Sequence, residues 1–224
     1  MKNNSLKTDN LTKQYKAGKV IFKNVTMTFN PGEIVGLVGP NGSGKTTFLR
    51  LLSVTSFPTS GTVTYGDIDI HKSPYQYLKH VGLVHDEESL PLHLSAAELL
   101  EWILRSRKLW TEKSQDDIDD FFNKFQLLEE RNDPIGTYST GMKKKAQIAA
   151  AFIASPDILI LDEPLRGLDI ETRETTLDLL RNSKRNGSII LMASHTMPES
   201  IQFFDSIMQF PLNNSLSGKG DYGK

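Results

Sequence analysis

The sequence predicts an α/β fold: a parallel sheet with helices packed on it, an antiparallel β layer toward the N-terminus, and an inserted α-helical subdomain. Three observations carry this. Ile34 to Val38, Ile158 to Leu161 and Ser188 to Ala193 are short, nearly continuous apolar runs, the pattern of strands buried on both faces. A helical stretch from about Glu171 to Arg185, closed by Asn186-Gly187, separates the last two, and strand–helix–strand alternation implies parallel pairing. Between Pro91 and Ser155 the apolar residues instead recur at helical spacing.

Taken in chain order, Lys19 to Phe29 alternates around Val20, Phe22, Val25, Met27 and Phe29, which reads as a half-buried strand of the surface layer, ended by Asn30-Pro31-Gly32. The run from Ile34 follows and ends in glycine. Ser95 to about Leu109 and Ser114 to Leu128 read as amphipathic helices, the second with Ile118, Phe121, Phe122, Phe125 and Leu128 in one stripe. Trp102, Leu109 and Trp110 fit either the core of this insert or an edge that docks a partner. The expected divisions are 1–90 for the β layer and first part of the core, 91–155 for the helical subdomain, 156–210 for the second part of the core, and 211–224 for a poorly ordered tail rich in Asn, Gly and Ser.

Bulk properties narrow the function. With 224 residues and 38% hydrophobic content the chain can bury a sizeable core, and its net charge of −1 gives no general attraction to nucleic acid or to an anionic membrane. It has no cysteine, which excludes disulfides and thiolate chemistry and suits a reducing compartment. The N-terminus lacks the apolar stretch of a secretory signal, and no apolar run approaches the roughly 20 residues that cross a bilayer. Direct membrane insertion and nucleic acid binding are therefore not expected.

Gly39-Pro40-Asn41-Gly42-Ser43-Gly44-Lys45-Thr46 fits G-x-x-x-x-G-K-[ST] between a buried strand and a helical stretch, Thr47 to Leu52. Glycines let such a loop turn successive N–H groups onto phosphate oxygens, and the helix N-terminus adds partial positive charge. Lys45 supplies a cation for the β- and γ-phosphates, Thr46 a hydroxyl for Mg²⁺, and Thr47 joins the same cofactor-binding set. The fold is thus a P-loop NTPase, RecA-like core. Ile158 to Leu161 then ends in Asp162-Glu163, two carboxylates that a buried strand does not carry without a use. Asp162 is placed to hold Mg²⁺, and Glu163 to polarise the water that attacks the γ-phosphate. His195, after the run ending at Ala193, is placed to hydrogen-bond the γ-phosphate or that water.

Tyr138-Ser139-Thr140-Gly141-Met142, about twenty residues before Asp162, resembles the signature motif of ATP-binding cassette (ABC) proteins, usually LSGGQ. It keeps Ser139 and Gly141 and departs at the other three positions, in a form similar to that of cassettes serving exporters. The resemblance implies an ATP-hydrolysing transporter subunit that works as a homodimer or heterodimer, with Lys45 of one chain and Ser139 and Gly141 of the other clasping one ATP. It also implies adenine stacking by Tyr15, ahead of the first strand, although a strand-edge tyrosine is the plain alternative. Gly167-Leu168-Asp169 resembles the loop that touches the partner; Asp169 otherwise serves as a helix cap. Where the family has a glutamine after a short strand, Val81-Gly82-Leu83-Val84 is followed by His85-Asp86, so Asp86, or His85 if the register shifts by one, takes the contact with Mg²⁺.

By resemblance, then, the cofactors are ATP and Mg²⁺, and the partner is an integral membrane transporter subunit. The chain sits in the cytoplasm, peripheral on the inner face of the membrane through that partner. The signature leans toward export. A soluble, non-transport ABC ATPase is the alternative; such relatives typically carry two cassettes or long coiled coils, for which 224 residues leave no room. A GTPase would need a guanine-reading N-K-x-D segment, which the sequence lacks.

Overall fold

The computed structural model describes residues 4–15, 18–85, 90–194 and 203–212. In chain order the elements are β1 (Leu6–Gln14), β2 (Val20–Phe29), β3 (Ile34–Val38), α1 (Lys45–Leu52), β4 (Ser60–Tyr65), β5 (Ile68–Asp69), α2 (Pro74–Leu78), β6 (Val81–Val84), α3 (Ala96–Ser106), α4 (Ser114–Phe125), α5 (Thr140–Phe152), β7 (Ile158–Asp162), α6 (Ile170–Arg185), β8 (Ile189–Ser194) and β9 (Ser206–Gln209). Strands β2-β1-β4-β5 form an antiparallel sheet, and β6-β7-β8-β3-β9 a parallel one. This is the α/β architecture the sequence predicts.

Up to their C-terminal ends, β3, β7 and β8 carry almost only apolar residues because both of their faces are covered. Ile158, Ile160, Leu191 and Ala193 join a core with Phe22, Phe29, Phe48 and Leu51, under the antiparallel layer and α1. Their neighbours Leu159, Leu161, Ile190 and Met192 join a second core with Leu100, Phe122, Ile148 and Leu180, under the helices. Period-two alternation along each strand thus assigns every other residue to a different layer. Helices α3, α4 and α5 all lie within 91–155, and they share their core with one face of the parallel sheet. A capping box opens α3: Glu98 N donates to Ser95 Oγ (3.2 Å), and Ser95 N to Glu98 Oε2 (2.8 Å).

Three details depart from the sequence expectations. Tyr15 lies not ahead of the first strand but after it, since β1 precedes it. In β1 the register shifts between Thr8 and Leu11, where Asn10 takes φ 49°, and this breaks the alternation that marks a strand. Thr8 nevertheless fills a core position, its hydroxyl donating to Val25 O and accepting from Met27 N, both at 3.0 Å. Burial also continues past residue 210, with Leu212 in the core under the antiparallel layer. Residues 213–224, where the tail expectation mostly falls, lie outside the described residues. Of the aromatic candidates, Trp102 is 63% exposed and Leu109 46% exposed, which removes both from the core, while Trp110 is partly buried beneath the Arg105 guanidinium. Among the described residues no helix is long and apolar enough to cross a membrane.

Candidate active site

Strand β3 delivers the chain to a loop, residues 39–44, that turns directly into α1. The loop is held from outside by contacts only glycine permits. A Cβ at Gly39 would lie 2.4 Å from Phe210 O, and one at Gly44, where φ is 110°, would lie 2.7 Å from Ile21 Cγ2. Pro40, Asn41 and Gly42 form the exposed crest, and Gly42 takes φ 75°. Ser43 N donates to Pro40 O at 3.3 Å, while Ser43 Oγ is buried with no hydrogen-bond partner among the described residues. An orphaned hydroxyl in a loop of this shape is a feature that an incoming oxyanion satisfies.

Lys45, the first residue of α1, is 4% exposed. Its Nζ donates to Gly39 O (2.6 Å) and Pro40 O (3.1 Å), curling the side chain back over its own loop. Burial lowers its pKa, and the negative charges of Glu163 and then Asp162 pull it partly back up. Cation and carboxylates therefore face one another, although Asp162 and Glu163 follow from β7, with β8 between it and β3. Both acids are buried, each 6% exposed. Glu163 adopts φ 48°, a left-handed conformation that costs a non-glycine residue about 1–3 kcal/mol and that clusters at functional sites. It is pinned there by Glu163 N donating to Ala193 O (3.1 Å) and by Arg166 N donating to Glu163 O (3.3 Å).

Thr46 is exposed at the head of α1 and Thr47 is half-buried beside it. Tyr15 reaches this helix: its hydroxyl lies 3.3 Å from Thr47 Oγ1, the Lys13 ammonium sits 5.3 Å from its ring centre, and the ring is 44% exposed. An open aromatic face beside a phosphate loop can stack a base. A hydroxyl from Thr46 and a carboxylate from Asp162 fit the donor set of Mg²⁺, which takes one or two protein oxygens and leaves the rest to water and phosphate.

Ser139 and Gly141 lie on the helical side, at the head of α5. Ser139 caps that helix, Met142 N donating to its Oγ at 3.2 Å, and it is exposed. Among the described residues, a Cβ at Gly141 would meet nothing nearer than Ser139 Oγ at 4.0 Å, which leaves the helix end open on that side. Helix α5 packs on β6, α3, α4 and α6, whereas α1 packs on β7 and β8. Asp169 caps α6, with Thr172 N donating to its Oδ1 at 2.7 Å, and Lys145 of α5 pairs with it at 3.4 Å. Its capping role is thus realised; Ile170 beside it is 84% exposed.

His195 and Asp86 lie outside the described residues. Ser194 ends β8 next to β3, paired with Val38, and His85 follows the end of β6. The sequence reading missed two groups that act on this edge. Gln147, 5% exposed in α5, grips the backbone of His85 through its side-chain amide, and Lys144 Nζ donates to His85 O at 3.5 Å. The available signal was a single amide in the run Ala146-Gln147-Ile148-Ala149, on a face otherwise apolar.

Comparison with known proteins gives the family and the fold. The family model described as ABC transporter matches residues 22–166, more than half of the chain. The chain is 33% identical over 187 residues to the ABC transporter ATP-binding protein NatA of Bacillus subtilis, covering 83% of this chain and 76% of that protein. Among solved structures, the ATP binding subunit of an ABC transporter superposes with a TM-score of 0.86 at 25% identity, over 92% of this chain and 85% of that one. A dimeric ATP-binding cassette in a post-hydrolysis state, bound to ADP and Pi, superposes with a TM-score of 0.79 at 26% identity, over 92% and 94%.

Proposed function

This chain belongs to the ABC transporter family, as an ATP-binding subunit with ATPase activity, and from that premise we propose how its residues divide the work. The observation that carries the proposal is the buried Lys45 ammonium set against Asp162 and Glu163. ATP binds along the loop from Gly39 to Thr46. Ser43 Oγ and Lys45 exchange their present surroundings for phosphate oxygens, and Tyr15 stacks on the adenine. Thr46 and Asp162, joined by Asp86, would hold Mg²⁺, which would supply charge neutralisation at the phosphates. Glu163 takes up the proton of the attacking water, and His195 orients that water or the γ-phosphate.

Hydrolysis is completed by a second copy or a related cassette. Ser139 and Gly141 of one subunit present a hydroxyl and an N–H at a helix N-terminus to the ATP held by Lys45 of the other. Ile170, exposed beside Asp169, lies at the subunit contact. An integral membrane subunit docks on the helical side, where Trp102 and Leu109 are exposed with Arg105 and Lys108 around them. ATP-driven closure of the pair and reopening after hydrolysis then drive export from the cytoplasmic face.

Two measurements test this. Hydrolysis per chain, followed against protein concentration, rises steeply before saturating if the site is composite; a rate per chain independent of concentration down to the nanomolar range would falsify the pairing. Purification from detergent-solubilised membranes is expected to bring down an integral membrane protein, and recovery with nucleic acid instead would point to a soluble mechanical role.

A further inference from the structure

Among the described residues strand β6 is one edge of the parallel sheet, and it is fastened to α5 more closely than ordinary side-chain packing allows. At Gly82 a Cβ would lie 2.1 Å from Ala151 O, so the strand backbone rests directly on the helix backbone. One turn nearer the head of α5, the Gln147 amide donates to His85 O and accepts from His85 N, both at 3.2 Å, in the orientation that satisfies both groups. Lys144 Nζ adds a third bond, to His85 O at 3.5 Å. A side-chain amide exchanging two bonds with one residue imitates a neighbouring strand, and it does so where β6 has ended. It is also a buried polar group inside an apolar face, which a helix carries at a cost unless both of its ends are satisfied.

We propose that Gln147 is a positioning residue: its two-bond clamp fixes His85, and with it the point where the chain enters residue 86, to the helix that opens at Ser139. The inference rests on the reading of Ser139 and Asp86 given above. Helix α5 joins the two. Its first turn carries Ser139 and Gly141, and its second and third turns hold Lys144 and Gln147, so a displacement of the signature end carries His85 with it through rigid helix and bidentate bond. Without the clamp the helix and the strand remain packed through Gly82, but the direction in which the chain leaves β6 is no longer set by α5.

The test compares the full chain with Gln147→Met, which keeps the length and apolar contacts of the side chain and removes the amide. Exchange of the His85 amide proton is expected to quicken by about tenfold, as for loss of a buried hydrogen-bond pair. The kcat for ATP hydrolysis is expected to fall by about tenfold, with nucleotide affinity and KM within about twofold of the original. Lys144→Met, which removes a contact at the helix surface, is expected to lower kcat by about two- to threefold and serves as the folded check. Unchanged His85 exchange shows that the clamp does not exist, and faster exchange with unchanged kcat shows that it only supports the fold; either result overturns the proposal. A matching loss of nucleotide affinity and kcat overturns it too, because the damage is then general. Glu163→Gln is run alongside: loss of hydrolysis there with normal kcat in Gln147→Met sinks the clamp alone. Normal hydrolysis in Glu163→Gln sinks the site reading beneath it.

Discussion

Lys45, at the head of α1, is closed in by its own loop carbonyls and by two buried carboxylates on a neighbouring strand. Ser139, at the head of α5, is exposed, and among the described residues its Oγ accepts the N–H of Met142 in its own helix. Both are helix N-termini with hydroxyl and glycine neighbours, and helix geometry favours anions at each. What separates them is surroundings. The first collects groups from β3, α1, β7 and β8, so that one chain already arranges the charges that the proposed phosphate site needs. The second offers a hydroxyl and, among the described residues, an open helix end, which is the half of a site that the proposed function assigns to it. An enclosed half and an open half in one chain are what the proposed head-to-tail pairing requires.

The largest effect expected from breaking this contrast is at the enclosed end. Glu163→Gln should lower kcat for ATP hydrolysis by about a thousandfold, within the range for removing a general base, while ATP still binds. A steady-state phosphate-release assay checks it, and equal rates would remove Glu163 from the chemistry. Lys45→Ala should weaken ATP by about a hundredfold, the loss of charge-assisted bonds to phosphate, as read by fluorescent-nucleotide titration. An affinity within a few-fold of the original would mean that the backbone cradle alone holds the phosphates.

At the open end the expected signature is the reverse: binding kept, turnover lost. Gly141→Asp places a carboxylate where the partner's phosphate is expected, with no described residue nearer to its Cβ than Ser139 Oγ at 4.0 Å. Acidic residues in a first helical turn favour the helix, so the chain should fold at least as well as before. Hydrolysis should drop by about tenfold or more with ATP affinity of the single chain unchanged. If both stay constant, α5 does not face a nucleotide. The smallest effect should come from Tyr15→Ala, a rise in KM for ATP of about fivefold from lost stacking; Tyr15→Phe, which gives up only the contact with Thr47, should leave KM near its original value.

Much of the enclosed end is readable in the one-dimensional string because its parts are local. A loop that must turn backbone N–H groups inward needs Gly42 and Gly44, and a strand that ends in charge needs Asp162-Glu163. Both leave marks within eight residues. The surface layer is only half readable. Strand β2 keeps its alternation, whereas β1 loses it at the shift around Asn10, and Thr8 hides a core position behind a polar name. For the same reason Tyr15 is legible as an aromatic ring and not as the residue that leaves β1 and reaches Thr47.

The sequence by itself therefore determined the chemistry available to this protein: a phosphate loop, a carboxylate pair, a capped helix with serine and glycine at its head, and enough apolar periodicity to fix the layers. Tertiary structure decided which of these groups meet. Lys45 faces Glu163 although 118 positions separate their numbers, 163 − 45, because β8 pairs with both β7 and β3 and brings their ends to one edge of the sheet. Gln147 reaches His85 because Gly82 lets a helix lie against an edge strand. Local periodicity reports what each residue needs from its surroundings. Which surroundings it receives is settled by long-range packing, whose contacts no short stretch of sequence contains.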